Sequence, residues 1–438
     1  MKHHVHKIQL KNGAEGLLIN VPDASVMTYY FDFRAGEYLV EEDNKWEVPH
    51  LMEHVVLGAN ELIPKARDFQ AEFDKNGAYN NATTGIYDII YEAECADFEW
   101  SRVLGLLLAA ISKPLFLEKE FKAEFGNVQE EMAAYTNNHF RRLGLEMRKQ
   151  LGMIAKSDVE RLELMNNVTL DDIRDHYKRT HQTQNMRFVI AGKLTPPRRK
   201  RIAKLLENIG MPQEGERFDL PEERVRTLKK PVFIANDTVE NLHFYIDTFT
   251  DRRLSDQETD ALQLVNTLLT ETLYSRILGA ARERGLVYGM NSGLSRTIDS
   301  TNWWFGTQVS ERNMEPLFEI ITGELGRLLD GKLSQKDIRD TKQYSLGRFQ
   351  RSGQTVGGTA AGYMGRYFFD GEVDDYYRVP ERIRSVTKRQ IIDVVIDMFA
   401  DDIWGFGVLG NASSRFVGDR RRQLEPLWKV HREKSRGK

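Results

Sequence analysis

Pro49-His50-Leu51-Met52-Glu53-His54 is the stretch around which the rest of the chain can be organised. Read as a helix, it sets His50 and His54 at i and i+4, one turn apart on one face. Glu53 projects beside His54. Two imidazoles at that spacing can hold one divalent metal, and a neighbouring carboxylate can take the proton of a water that the metal activates. Leu51, Met52, Val55, Val56 and Leu57 supply apolar faces for burial, and Pro49 opens the helix where a missing N–H costs little. His-x-x-Glu-His is the mirror of the commoner His-Glu-x-x-His zinc pattern. The same residues also suit two hydrogen-bonded histidines on an ordinary amphipathic helix, so the decision falls to a third ligand.

Leu117 to Tyr135 reads as a helix that could supply it. Glu124 and Glu131 lie seven residues apart, two turns, and share a face, whereas Glu130 is turned about 100° away from Glu131. Either Glu124 or Glu131 could reach a metal on the earlier helix; the alternative is a solvated face, the usual fate of glutamates.

Around these helices, Lys7–Leu10, Gly16–Val21 and Met27–Phe33 read as strands, with Asn12-Gly13 as a turn. Lys65–Asn76 is an amphipathic helix closed by Gly77. Asn80-Asn81-Ala82-Thr83-Thr84 leads into a strand over Tyr87–Glu94, and Asp97 is expected to cap an apolar helix ending near Ser112. Thr169 with Asp172 suggests a capping box, followed by a helix to Thr180 and a strand Met186–Ala191. Met211 to Pro231 is charge-rich, with three prolines and no periodicity, and reads as an interdomain linker.

The second half repeats the first in outline. Leu242–Thr248 matches the early strand, and Leu333-Ser334-Gln335-Lys336-Asp337 follows Leu117 by 216 residues. Ser385 to Gly410 overlies Asn167 to Gly192 without a gap at an offset of 218. Two homologous domains follow, 1–211 and 232–438, joined by 212–231. The metal chemistry is not repeated: the second half has only His243 and His431, and the expected counterpart of the metal helix, Leu262–Ala280, has no histidine.

Length and composition bound the remaining possibilities. At 438 residues the chain exceeds one ordinary domain, and 41% hydrophobic with 29% charged residues describes a soluble globular protein. A net charge of −3 gives no bulk electrostatic case for nucleic acid. Cys95 is the single cysteine, so no internal disulfide can form and a reducing compartment suits the chain. The N-terminus has no apolar core like a secretion signal, and the longest apolar run, Val103–Ile111, is too short to cross a bilayer. A cytoplasmic protein with no membrane partner is expected. His3, His4 and His6 read as a mobile terminus, and small residues at Gly357, Ala361 and Gly365 as close helix packing. Arg198–Arg201 and Arg420–Arg422 read as solvated helix faces, and His139, His176 and His181 receive no role.

Taken together, His50-Leu51-Met52-Glu53-His54, Asn81-Ala82-x-Thr84 and Glu124-x-x-x-Val128-x-x-Glu131 resemble the pitrilysin family of inverted zinc peptidases, which includes insulin-degrading enzyme and the mitochondrial processing peptidase. The 76 residues between His54 and Glu131, the Thr169–Gly192 segment and the two-halves plan match as well, and the length suits the shorter, processing-peptidase-like branch. The resemblance implies an α+β fold of two homologous α/β-sandwich-like domains, each a mixed, largely antiparallel sheet packed with helices, together half of a peptidase clamshell. It implies His50, His54 and Glu131 as ligands of one zinc ion, Glu53 as general base on a zinc-bound water, and Glu124 as a carboxylate orienting a ligand histidine. Asn81 and Ala82 would pair with an extended peptide substrate. Tyr288 matches the family's substrate-contacting tyrosine and could donate to the developing oxyanion. The family's arginine falls seven residues before it, where this chain has Ala281; Arg282, one residue late, would need a local shift to serve. The implied activity is endopeptidase cleavage of peptides or unfolded segments in a chamber completed by a like or unlike second two-domain chain. The alternative is a non-catalytic subunit or scaffold of the same fold.

Overall fold

Alternation along Val26–Phe33 shows how the first sheet is built: Met27, Tyr29, Phe31 and Phe33 enter the hydrophobic core, while Thr28, Tyr30 and Asp32 occupy the opposite face. In the computed structural model, which describes residues 1–428, this strand is β3 of a six-stranded sheet. The others are β1 (His4–Gln9), β2 (Glu15–Asn20), β4 (Tyr79–Thr84), β5 (Ile89–Ala96) and β6 (Met186–Gly192). Their order is β1-β2-β6-β3-β5-β4; β2 and β6 run parallel and every other pair is antiparallel. A second sheet joins β7 (Val232–Ala235), β8 (Leu242–Thr250), β9 (Asn291–Arg296), β10 (Thr301–Val309) and β11 (Ile403–Gly410) in the order β7-β11-β8-β10-β9. Its β7–β11 pair is again the parallel one. The protein is thus α+β, with two mixed, largely antiparallel sheets packed by helices.

The chain forms two compact units, and each takes one segment from the other half of the sequence. The first comprises Met1–Ala133, Val159–Leu220 and Gln350–Tyr376; the second comprises Ala134–Asp158, Pro221–Phe349 and the residues from Tyr377 on. In the first unit, the helix Val356–Asp370 covers the polar face of β3, with Gly357 against Thr28, Tyr30 and Glu94. Tyr367, Phe368 and Phe369 at its C-terminal end offer carbonyls to the guanidinium groups of Arg34, Arg187 and Arg217. In the second unit, the helix His139–Leu151 packs Leu143, Met147 and Leu151 against Tyr245, Phe249 and Leu409. Close approach there requires the absence of a side chain at Gly405 and Gly407, whose Cβ would lie 2.8 and 2.7 Å from Met147.

Several local expectations are corrected. The N-terminus is not mobile: His4–Gln9 is a strand, and His3 is buried, hydrogen-bonded to Tyr363 and edge-on to Tyr376. Asp97 does not cap the apolar helix Trp100–Ser112; a short 3-10 turn intervenes, and its carboxylate instead receives Arg198. Ala361 is exposed and a Cβ at Gly365 would meet open space, so the contact face of that helix is Val356, Thr359, Ala360, Tyr363, Tyr367 and Phe368. Asn80–Thr84 is itself strand, at the sheet edge. Among the described residues no helix is long and apolar enough to cross a membrane. His431 lies outside the described residues.

Candidate metal centre

The helix Val48–Val56 opens with Pro49 in its first turn, and Leu51, Met52, Val55 and Val56 are fully buried. That apolar anchoring fixes the rotation of the helix and brings the rings of His50 and His54 to 5.2 Å of each other. From the long helix Glu118–Thr136, Glu131 places Oε2 3.7 Å from His50 Nε2 and 3.5 Å from His54 Nε2. The three donor atoms all lie within 4.8 Å of one another. A tetrahedral zinc bound at about 2.0–2.2 Å spaces its ligands about 3.3–3.6 Å apart, so this set fits with small adjustment. Two nitrogens and one carboxylate oxygen would hold such an ion with three protein ligands, the donor count of catalytic zinc sites.

The other ring nitrogens are spoken for. His50 Nδ1 lies 2.9 Å from Glu47 Oε2, and His54 Nδ1 lies 3.2 Å from Glu124 Oε2, which also receives Asn127. Each carboxylate accepts the Nδ1 proton, which leaves Nε2 of both rings turned toward Glu131. Burial lowers both imidazoles, but bonds to Glu131 and Glu47 on one, and to Glu124 and Glu131 on the other, outweigh it and raise each to about 9. The pocket therefore favours positive charge, a demand that a divalent cation meets by displacing the Nε2 protons. Glu124 is lowered by its bond to His54.

Glu53 is held from the edge strand: Thr84 Oγ1 donates to Glu53 Oε2 at 2.6 Å. The same strand carries Asn81, exposed and 3.5 Å from Glu92 Oε1, and Ala82, buried in the core. β4 pairs only with β5 among the described residues. The sequence reading assigned no role to Glu47 or Thr84. A glutamate three residues before a candidate ligand histidine was the available signal for the first; the second needed the strand's register.

Tyr288 and Arg282 lie together in the second unit, where the Arg282 guanidinium stacks 4.5 Å from the Tyr288 ring and donates to its backbone carbonyl. Tyr288 is 88% exposed and helps line a pocket of about 960 Å³ with Phe140, His243, Arg282 and Asn291. Ala281 is fully buried in the core, so this position presents no side chain toward a substrate. The expected counterpart of the metal helix, Leu262–Ala280, is not one helix: Asp256–Asn266 continues into a π-turn, Thr267–Glu271, and a separate helix begins at Leu278. At the offset of 216 that relates β3 to β8, His50 and His54 become Asn266 and Thr270. Glu271 there accepts from Gln263, Asn266 and Thr267 and pairs with Arg348 at 2.8 Å, so a protein cation and a hydrogen-bond network occupy the place of the metal ligands.

Two family descriptions match this division of labour: Insulinase (Peptidase family M16) over residues 20–158, and Peptidase M16 inactive domain over residues 167–344. The chain belongs to the peptidase M16 family. A relative in Escherichia coli K12, the probable zinc protease PqqL, is 20% identical over 327 residues, 70% of this chain and 34% of that protein. The chain thus spans about a third of the length of that relative. A protease from Helicobacter pylori superposes with a TM-score of 0.80 at 16% identity, covering 94% of this chain and 100% of its own. A Pseudomonas fluorescens structure described as a peptidase M16 inactive domain gives 0.81 at 15% identity, covering 94% and 99%. At such identities these likenesses speak for the M16 fold alone.

Proposed function

We propose that this M16 chain is a zinc-dependent endopeptidase acting on peptides or unfolded segments. The observation that carries the reading is the meeting of His50, His54 and Glu131 from two helices at ligand spacing, with Glu53 beside them. Zinc, when bound, supplies Lewis-acid chemistry: it polarises the scissile carbonyl and makes water easier to deprotonate. His50, His54 and Glu131 hold the ion, and Glu47 and Glu124 fix the imidazoles. Glu53 takes the proton of the attacking water and delivers it to the leaving amine nitrogen. The outer edge of β4, with Asn81 and Ala82, suits main-chain pairing with an extended substrate. Tyr288 donates to the developing oxyanion, and Arg282 binds substrate once it leaves the Tyr288 carbonyl. A second two-domain chain, like or unlike, completes an enclosed chamber that selects by size and extended conformation.

The test uses a quenched peptide library. Cleavage should require about one zinc per chain, cease with chelator, and fall by at least about 10³-fold in Glu53→Gln with zinc retained. Equal cleavage by Glu53→Gln and the parent would sink the mechanism. A second reading, a non-catalytic subunit of a peptidase complex, is favoured by Ala281 at the arginine position. It predicts zinc binding without cleavage, both alone and with candidate partner chains.

A further inference from the structure

We infer that Glu47 is the positioning residue for the ligand His50, anchored by Arg161 and Glu37; this rests on the zinc reading above. The Glu47 side chain is 0% exposed. Burying a carboxylate costs several kcal/mol unless its charge and lone pairs are met, so its surroundings define what it is for. Both of its oxygens are engaged. Arg161 forks onto it, Nε to Oε1 at 2.5 Å and Nη2 to Oε2 at 3.1 Å, a geometry that fixes the plane of the carboxylate. The same Nη2 lies 2.9 Å from Glu37 Oε1, itself buried. Oε2 of Glu47 then accepts from His50 Nδ1 at 2.9 Å.

The chain Glu37–Arg161–Glu47–His50 thus runs from buried Glu37 through half-buried Arg161 to one candidate ligand ring. Glu47 also sits at the residue preceding the metal helix, so its backbone is tied to the element that carries His50. His54 is held differently: Glu124 is 29% exposed in its side chain, stands 3.2 Å from His54 Nδ1 and accepts also from Asn127, a neutral amide. One ligand is therefore seated rigidly and the other loosely. The rigid one sets where the ion lies; the looser one lets the opposite side adjust as the fourth position changes occupant.

Zinc affinity measured by competition with a chromophoric chelator tests the assignment, on the full chain. Glu47→Gln keeps the shape but loses the charge that holds the Arg161 fork, and should weaken zinc binding by about 10–100-fold. Arg161→Gln, which frees Glu47 without touching His50, should show part of that loss. Cobalt loaded in place of zinc should give an altered visible spectrum in Glu47→Gln, which a purely scaffolding role would not produce. Thermal midpoints in excess chelator separate folding from ligand placement, and Glu47→Asp, retaining the charge, should recover part of the affinity. Parental affinity and cobalt spectrum in Glu47→Gln would overturn the inference while leaving the zinc site standing. Affinity losses that merely track lower midpoints in chelator would also overturn it. If His50→Ala holds zinc as tightly as the parent, the zinc reading itself fails, and the inference with it.

Discussion

One hydroxyl decides how Glu53 can point. Thr84 donates to Glu53 Oε2, and removing that donor should free the carboxylate to rotate without disturbing the ligands. Thr84→Val is expected to lower kcat about tenfold or more, the weight of a hydrogen bond to a charged group, with zinc content unchanged and Thr84→Ser close to the parent; peptide turnover beside metal analysis checks it. A second residue, His176, was given no role from sequence, yet its ring is fully engaged: Nε2–H donates to Ala35 O at 2.8 Å and Nδ1 accepts from Arg179. Burial holds it down at about 4, helped by Arg179 and opposed by the Ala35 bond. Above pH 6.5 the folded and unfolded chains both hold it neutral. As pH falls below 6.5 the unfolded chain takes the proton first, so stability declines until about pH 4, by on the order of 3 kcal/mol. His176→Gln should flatten that part of a plot of unfolding free energy against pH; an unchanged slope would refute the assignment. The candidate ligand residues were legible because their spacing is local or falls on one helix face. Glu47 carried only its i,i+3 spacing to His50, and His176 carried none, since an acceptor a whole element away leaves no periodic mark.

At the level of elements, capping chemistry was the most readable signal. The expected box at Thr169 and Asp172 is present, and Thr387 with Gln390 repeats it 218 residues later. The placement of the helix Val356–Asp370 was not readable, because its seat depends on residues hundreds of positions away. Arg34, 2% exposed, joins Asp88 at 3.2 Å to the Phe368 and Phe369 carbonyls, where the negative end of the helix dipole adds to the attraction. Burial and the neighbouring Asp32 raise Asp88 to about 7, against the pull of Arg34. Arg34→Met would strand this carboxylate and those carbonyls together. The expected cost is about 3–5 kcal/mol, read as a lower urea midpoint at unchanged slope; a shift below about 1 kcal/mol would show that Arg187 and Arg217 suffice.

For the molecule as a whole, the repeat in the sequence shows two similar halves but hides their exchange of helices. Every residue of the candidate metal centre, from Glu37 to Arg161, lies within 1–211, the piece that sequence alone marks off as the metal-binding domain and that the cut at 220 leaves whole. The first unit, however, includes Gln350–Tyr376. Without it the face bearing Thr28, Tyr30 and Asp32 loses its cover, and Arg34, Arg187 and Arg217 lose the carbonyls they cap. The fragment 221–438 likewise lacks the helix whose Leu143, Met147 and Leu151 fill the core over Tyr245 and Leu409. A bare polar sheet face with three uncapped guanidinium groups cannot form a dry core, so each fragment should keep helical signal but lose cooperative unfolding. Co-expressed, the two should purify together and recover about one zinc per pair and peptide cleavage, because the exchange needs both pieces but not the bond between residues 220 and 221. Cooperative unfolding and tight zinc binding by 1–220 alone would mean that the exchanged helix ornaments the unit instead of completing it.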